Sequence, residues 1–262
     1  MKKYVWLMAG ILSFAPALAG IKLRMDTREQ NGSGSLQSGW IYAEGENRLR
    51  IDVDIDPDTG QPENSMIFHA DEEVLYMVDH IEKMYARLDR HVMETFSDRF
   101  SQAMEQMQAE LEKLPEGQRK VMEDMIKKNM PHSGSFEVEV RDVGMDGEYH
   151  KYETWISGEK RSEVWVRTLD QVGLPENSLV VFRKLSTFYE QMLNSLSNNP
   201  WADGGLGANP FPGFLEMKGL PVRIVHMEEE VETRLSDVQV VDLPDAFFQP
   251  PSDYVESSPD VH

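Results

Sequence analysis

Asp52, Asp54, Asp56 and Asp58, with Glu63 eleven residues after the first, come closest of any residues here to a recognised chemical spacing. It approximates a calcium loop, in which oxygens at alternate positions surround the ion and a glutamate closes the set. The sixth position of such a loop needs glycine for its sharp turn, and here it holds Pro57. Val53 and Ile55 also read as inward residues of a strand, which turns the aspartates to a solvated face. A strand edge leading into the turn Pro57-Asp58-Thr59-Gly60 is the preferred reading, with calcium as the alternative.

The other reactive residue types are scattered. His69, His80, His91, His132, His150, His226 and His262 form neither H-x-H nor H-E-x-x-H, so no metal site is signalled. The chain lacks a G-x-S-x-G elbow and a dinucleotide fingerprint, and the Gly/Ser-rich stretch 32–39 lacks a phosphate-loop lysine. There is no cysteine, which excludes disulfides, thiol nucleophiles and Cys-ligated zinc. Carboxylates are too many for any one pair to stand out. The expectation is a non-catalytic protein with no catalytic residue, cofactor or metal.

Composition narrows the partners. Over 262 residues, 46 Asp+Glu against 26 Lys+Arg give a formal net charge of −20. Such a surface repels phosphate backbones, so nucleic acid is not an expected partner. With hydrophobic residues at 40%, the chain has the means to bury a core. Residues 1–19 read as a signal peptide: Lys2 and Lys3, an apolar run from Val5 to Phe14, then Ala17-Leu18-Ala19 before Gly20. Sec export with cleavage after Ala19 is expected, placing the mature chain in the periplasm, with peripheral or transient membrane contact at most.

The elements that must position any site follow from periodicity. Ile21, Leu23 and Met25 alternate with Lys22, Arg24 and Asp26, and Trp40, Tyr42, Leu49, Ile51 and Val53 continue in strand period. Further strands fit 66–69, 74–79 and 84–90. Near 92–130 the period changes: Met93, Phe96, Phe100, Met104, Met107, Leu111 and Leu114 recur at helical spacing. Pro115-Glu116-Gly117 interrupts, and Val121, Met122, Met125 and Ile126 begin a second helix. Strands near 136–140, 148–156 and 161–167 precede a third helix at 176–196, and strands 221–227 and 231–240 follow. About eleven strands in hairpin succession, with helices in blocks, predict an α+β fold. It takes the form of a curved antiparallel half-barrel with the helices as a lid on its concave face. Residues 20–249 read as one domain, and 250–262 as a loose acidic tail.

Of 16 methionines, Met93, Met104, Met107, Met122, Met125 and Met130 cluster on the two central helices. Flexible and polarizable, they suit an adaptable apolar lining as well as an ordinary core face.

The layout resembles a family of exported bacterial domains of unknown function, within the wider fold of periplasmic lipoprotein-localisation (Lol) carriers. Five features carry the resemblance: Gly20-Ile21-Lys22 after the signal peptide, Val74–Asp79 running into Lys83-Met84-Tyr85, Leu114-Pro115-Glu116-Gly117-Gln118-Arg119, Glu163-Val164-Trp165-Val166, and Gly219-Leu220-Pro221-Val222. The chain is longer and more acidic than the dedicated carriers and lacks their N-terminal phenylalanine- and proline-containing signature. The resemblance implies a half-barrel with a helical lid around an apolar cavity for acyl chains. The function expected is that of a periplasmic carrier for a lipid or other apolar ligand. Trp40, Tyr42, Ile51, Phe68, Leu75 and Met77 would line the sheet side, and Met104, Met107, Met122 and Met125 the lid. Trp201 and Phe211 would gate the mouth from the loop 197–219. The alternative is an envelope protein-interaction or stress-sensor module on the same fold without a ligand, with an envelope protein as partner.

Overall fold

The computed structural model describes residues 20–30, 37–129, 138–195 and 216–257. Residues 1–19, expected as a signal peptide, and Trp201 and Phe211, expected to gate the mouth, lie outside the described residues. Six strands come first: β1 (Gly20–Glu29), β2 (Gln37–Glu44), β3 (Arg48–Ile55), β4 (Pro62–His69), β5 (Val74–Asp79) and β6 (Met84–Leu88). Helices α1 (Arg90–Glu112) and α2 (Glu116–Asn129) follow. Then come β7 (Val138–Asp146), β8 (Tyr149–Ile156), β9 (Glu159–Arg167), α3 (Val180–Ser195), β10 (Leu220–His226), β11 (Val231–Val241) and β12 (Val255–Glu256). The fold is α+β. One open, curved sheet of twelve strands runs β12-β6-β5-β4-β3-β2-β1-β11-β10-β9-β8-β7, antiparallel except for β12 beside β6.

Register assigns every side chain to a face. Ile21, Ala43, Leu49, Phe68, Leu75 and Leu88 oppose one another across six strands, and each is at most 5% exposed. This row is the floor of the main core. Helix α3 lies on it, burying Phe182, Leu185, Phe188 and Tyr189, with the rings of Phe68 and Phe188 5.3 Å apart. The next inner row is Leu23, Ile41, Ile51, Met66 and Met77, whose exposure rises to 38% at Met77. Helix α1 starts on Asp89, whose Oδ1 accepts from Val92 N at 2.9 Å, and Pro115 ends the turn after it.

On the outer face the parity is opposite. Arg24, Trp40, Asp52, Ser65, Val78 and Tyr85 form one row, and Lys22, Tyr42, Arg50, Ile67, Tyr76 and Arg87 the other. The C-terminal segment crosses this face as a strap. Phe248 is wholly buried against Ile67 and Val78, and Phe247 packs edge-on to Tyr42 at 4.7 Å. Arg50 and His69 bond the carbonyl oxygens of Phe247 and Phe248, and Val255–Glu256 pairs with β6. The stretch after Pro251, expected as a loose tail, therefore supplies the twelfth strand where eleven were expected.

Asp52 is the second departure from expectation. The strap leaves it 5% exposed, paired with Arg50 at 2.7 Å and accepting from Ser65 at 2.6 Å, so it is not on a solvated face. Asp56 instead caps the turn, accepting from the backbone N–H groups of Asp58 and Thr59. Among the described residues, no three acidic or histidine side chains converge as metal ligands.

The strap is tied down by a chain of hydrogen bonds from Asp52 through Ser65 and His80 Nε2 to Tyr254, whose hydroxyl meets His80 Nδ1 at 3.0 Å. Burial, and then the nearby Arg50 charge, lower the His80 pKa from its ordinary 6.5. A histidine whose folded pKa lies below its unfolded value contributes full stability above about 6.5, lost as pH falls below that. Denaturant unfolding should therefore show the wild type losing more stability than His80→Gln between pH 7.5 and 5. Equal losses would mean that His80 does not couple the strap to pH. Phe248→Ala should cost about 3–5 kcal/mol in the same assay, as expected for an aromatic side chain lost from a closed site.

Candidate functional site

The side chains expected to line a cavity separate into three groups. Phe68 and Leu75 are on the inner face but closed beneath α3, so they are core. Ile51 and Met77 share that face at its more open end, where Val53 is 40% exposed. Trp40 and Tyr42 belong to the outer face: Lys22 Nζ sits 3.7 Å over the Trp40 ring, and Tyr42 lies against Phe247. Burial beside Asp52 pushes the Tyr42 hydroxyl up to about 12, as suits a ring closed under the strap. Of the expected methionine lid, two side chains are described. Met107 is half-buried on α1, while Met122 and Val121 on α2 are 47% and 61% exposed. The side chains of Met104 and Met125 lie outside the described residues. Helix α3 supplies most of the helical cover of the core, and the start of α1 adds Met93.

A cavity lies elsewhere, at a seam in the sheet. β10 pairs with β11 only from Arg223–His226 to Val231–Arg234. Beyond that point β11 continues beside β1, and Leu220–Pro221 stays with β9. Two irregularities mark the parting. Pro221, which has no N–H for a ladder, borders a register shift in β10, and Ser236 is the extra residue of a bulge in β11. Gly219 holds β10 tightly to β9: a Cβ there would stand 2.2 Å from the Arg167 carbonyl oxygen, at φ +146°.

The seam holds a half-open cavity of about 760 Å³. Its apolar walls are Val172, Val222, Leu235 and Val238, and its polar rim includes Tyr149, Trp165, Arg167, Arg223 and Arg234. It falls between two cores. Val172, Leu220, Leu235 and Val238 belong to the main cluster, while Val164, Val166, Tyr152 and Met217, with Ile224 against them, form a smaller one.

The rim is held by ion pairs and ring contacts. Arg223 Nε donates to Glu232 Oε1 at 2.7 Å, and Arg234 Nε donates to the same oxygen. Burial alone would raise the Glu232 pKa, but the bonds from Arg234 and Arg223 prevail and hold it below the usual carboxylate range. Arg223 stacks on Trp165 at 4.2 Å, and the indole N–H donates to Asp146 at 2.8 Å. Arg167 lies 4.8 Å over Tyr149 and pairs with Glu148. A lining that joins aliphatic side chains to guanidinium, aromatic and carboxylate groups suits a molecule with one apolar and one polar end.

None of these rim residues stood out in the sequence, yet a signal was present. The turn 227–230 sets a hairpin register that opposes Arg223 to Arg234, and like charges directly across a ladder are unfavourable unless an acid intervenes. Glu232 is that acid.

Residues 65–168, from within β4 to just past β9, match a family model described as "SWI/SNF and RSC complexes subunit Ssr4 C-terminal", under half of the chain. No curated protein matches. Among solved structures, that of PNGF-II is similar at 6% identity and a TM-score of 0.42, covering 92% of this chain and 31% of that one. The crystal structure of a LolA superfamily protein from Nitrosomonas europaea is similar at 9% identity and a TM-score of 0.31, covering 89% and 91%.

Proposed function

We propose that this protein is a non-catalytic carrier or binding protein of the bacterial periplasm, holding a lipid or other apolar ligand at the seam between β10 and β11. The observation that carries the reading is the 760 Å³ cavity with four aliphatic walls, set where the sheet parts between two cores. Its volume lies in the range of small-ligand sites, roughly 300–1,000 Å³. Each methylene transferred there from water contributes about 0.8 kcal/mol, so a short alkyl chain suffices for retention. The binding site is thus displaced from the sheet–methionine interface that the sequence suggested. The site residues of this reading are Val172, Val222, Leu235 and Val238 in the walls and Trp165, Arg223 and Arg234 at the rim.

A second reading, an envelope protein-interaction module, draws on β7. This strand ends the sheet, with Val138, Val143 and Met145 at 38%, 53% and 67% exposure, and among the described residues its outer edge is unpaired. Such an edge can accept a partner's strand.

Native mass spectrometry with solvent extraction separates the two. Protein purified from a native periplasm should carry a stoichiometric adduct that extracts as lipid. Val172→Trp, which fills the cavity from the short helix Asp170–Val172, should lose that adduct and melt as the wild type does after its adduct is extracted. Met122→Glu, on the exposed face of α2, should keep it. A mass that stays free of adduct after incubation with envelope lipids would reject the carrier reading and favour the β7 edge.

A further inference from the structure

We infer that the mouth of the seam is built for an oxyanion, so that the ligand is an apolar chain ending in a carboxylate or a phosphate; this rests on the seam being the ligand site proposed above. Arg223 and Arg234 stand directly opposite each other on adjacent strands, where two cations alone would repel. Both Nε–H groups converge on one oxygen of buried Glu232, which holds the two guanidinium groups side by side. Stacking on Trp165 at 4.2 Å further fixes Arg223. A guanidinium has five N–H donors, and the Nη groups form the edge that grips carboxylate or phosphate in a bidentate fork. Among the described residues, neither arginine has a protein hydrogen-bond partner at its Nη groups.

Arg167, Arg223 and Arg234 are balanced by Glu148, Glu232, Asp146 and Asp237, so it is the open guanidinium edges of Arg223 and Arg234, and not net charge, that would select an oxyanion. Asp146 accepts from Trp165, and Asp237 accepts from Gln239 at 2.6 Å, which orients these two carboxylates of the lining without neutralising them. An oxyanion would accept from the open Nη groups, and the aliphatic walls would take the chain attached to it. An inorganic anion would leave those walls unused.

Isothermal titration of the purified protein with dodecanoate, dodecyl phosphate and uncharged dodecanol tests this. At least one anion should bind about tenfold or more tightly than dodecanol, the scale of a charge-assisted hydrogen bond. The variant R223Q/R234Q should lower anion affinity to that of dodecanol and leave dodecanol within about twofold. Because that variant strands the Glu232 carboxylate, R223Q/E232Q/R234Q, which removes all three charges, is measured beside it. Tighter binding of dodecyl phosphate supports a phospholipid-like head, and tighter binding of dodecanoate supports a free fatty acid. Equal affinity for all three probes, or an anion preference that survives in a folded variant lacking both arginines, overturns the oxyanion inference and leaves the carrier reading intact. Failure of every probe to bind, dodecanol included, overturns the carrier reading as well.

Discussion

Strand β11 is shared unequally between its neighbours, and the rest of the molecule is arranged around that inequality. It pairs with β1 from Val231 to Val241, the contact that joins the first six strands to the second meander. It pairs with β10 only as far as Arg234. A strand that bends and twists to follow one neighbour cannot stay in register with a second that carries Pro221 and is pressed onto β9 at Gly219. The ladder therefore opens, its bulge places Ser236 at the parting, and aliphatic side chains of the inner face become walls of a cavity. Closing the seam would demand a straighter β11, at the expense of the β1 contact that makes the sheet continuous.

Ion pairing on the outer face follows from the same sheet. Basic residues recur along it at Lys22, Arg24, Arg50, Arg234, Arg223 and Lys151, interleaved with Trp40, Tyr42 and Trp165. Most are matched by an acid on the same face: Arg24 with Asp26, Arg50 with Asp52, Lys151 with Glu163. Under the strap the matching is complete enough that Asp52 is buried within hydrogen-bonding reach of Arg50 and Ser65. At the seam one acid serves two arginines through their Nε–H groups, which leaves both guanidinium edges open among the described residues. The distinction is local, and the overall acidity of the chain conceals it.

Much of the architecture was legible because strand and helix periods differ so plainly. The first eleven strands, six then three then two, and the break at Pro115 all follow from alternation and turn residues. What alternation cannot give is which face is which when both parities are apolar. Trp40-Ile41-Tyr42-Ala43 has four apolar side chains in a row, so only its partners in register put Trp40 and Tyr42 outside. The strap was missed because its anchors, Phe247, Phe248 and Tyr254, are isolated aromatics in a Pro-rich stretch without periodicity. The methionines of α1 and α2 drew attention by their number, while α3 reached the core through Phe182, Leu185, Phe188 and Tyr189. The seam depends on a mismatch between two pairings some two hundred residues apart in sequence, since β1 and β11 begin at Gly20 and Val231. No local pattern encodes that.

The central claim, that ligand enters the parted ladder and not the inner face beneath α3, is tested most directly by methyl NMR. Methyl-labelled protein would be titrated with a spin-labelled fatty acid, whose unpaired electron broadens nearby resonances. The account requires the methyl groups of Val172, Val222, Leu235 and Val238 to broaden first, with Leu75 and Leu185 unaffected at the same ratio. Broadening that begins at Ile51, Val53 and Met77 would place the ligand at the open end of the inner face and contradict the seam.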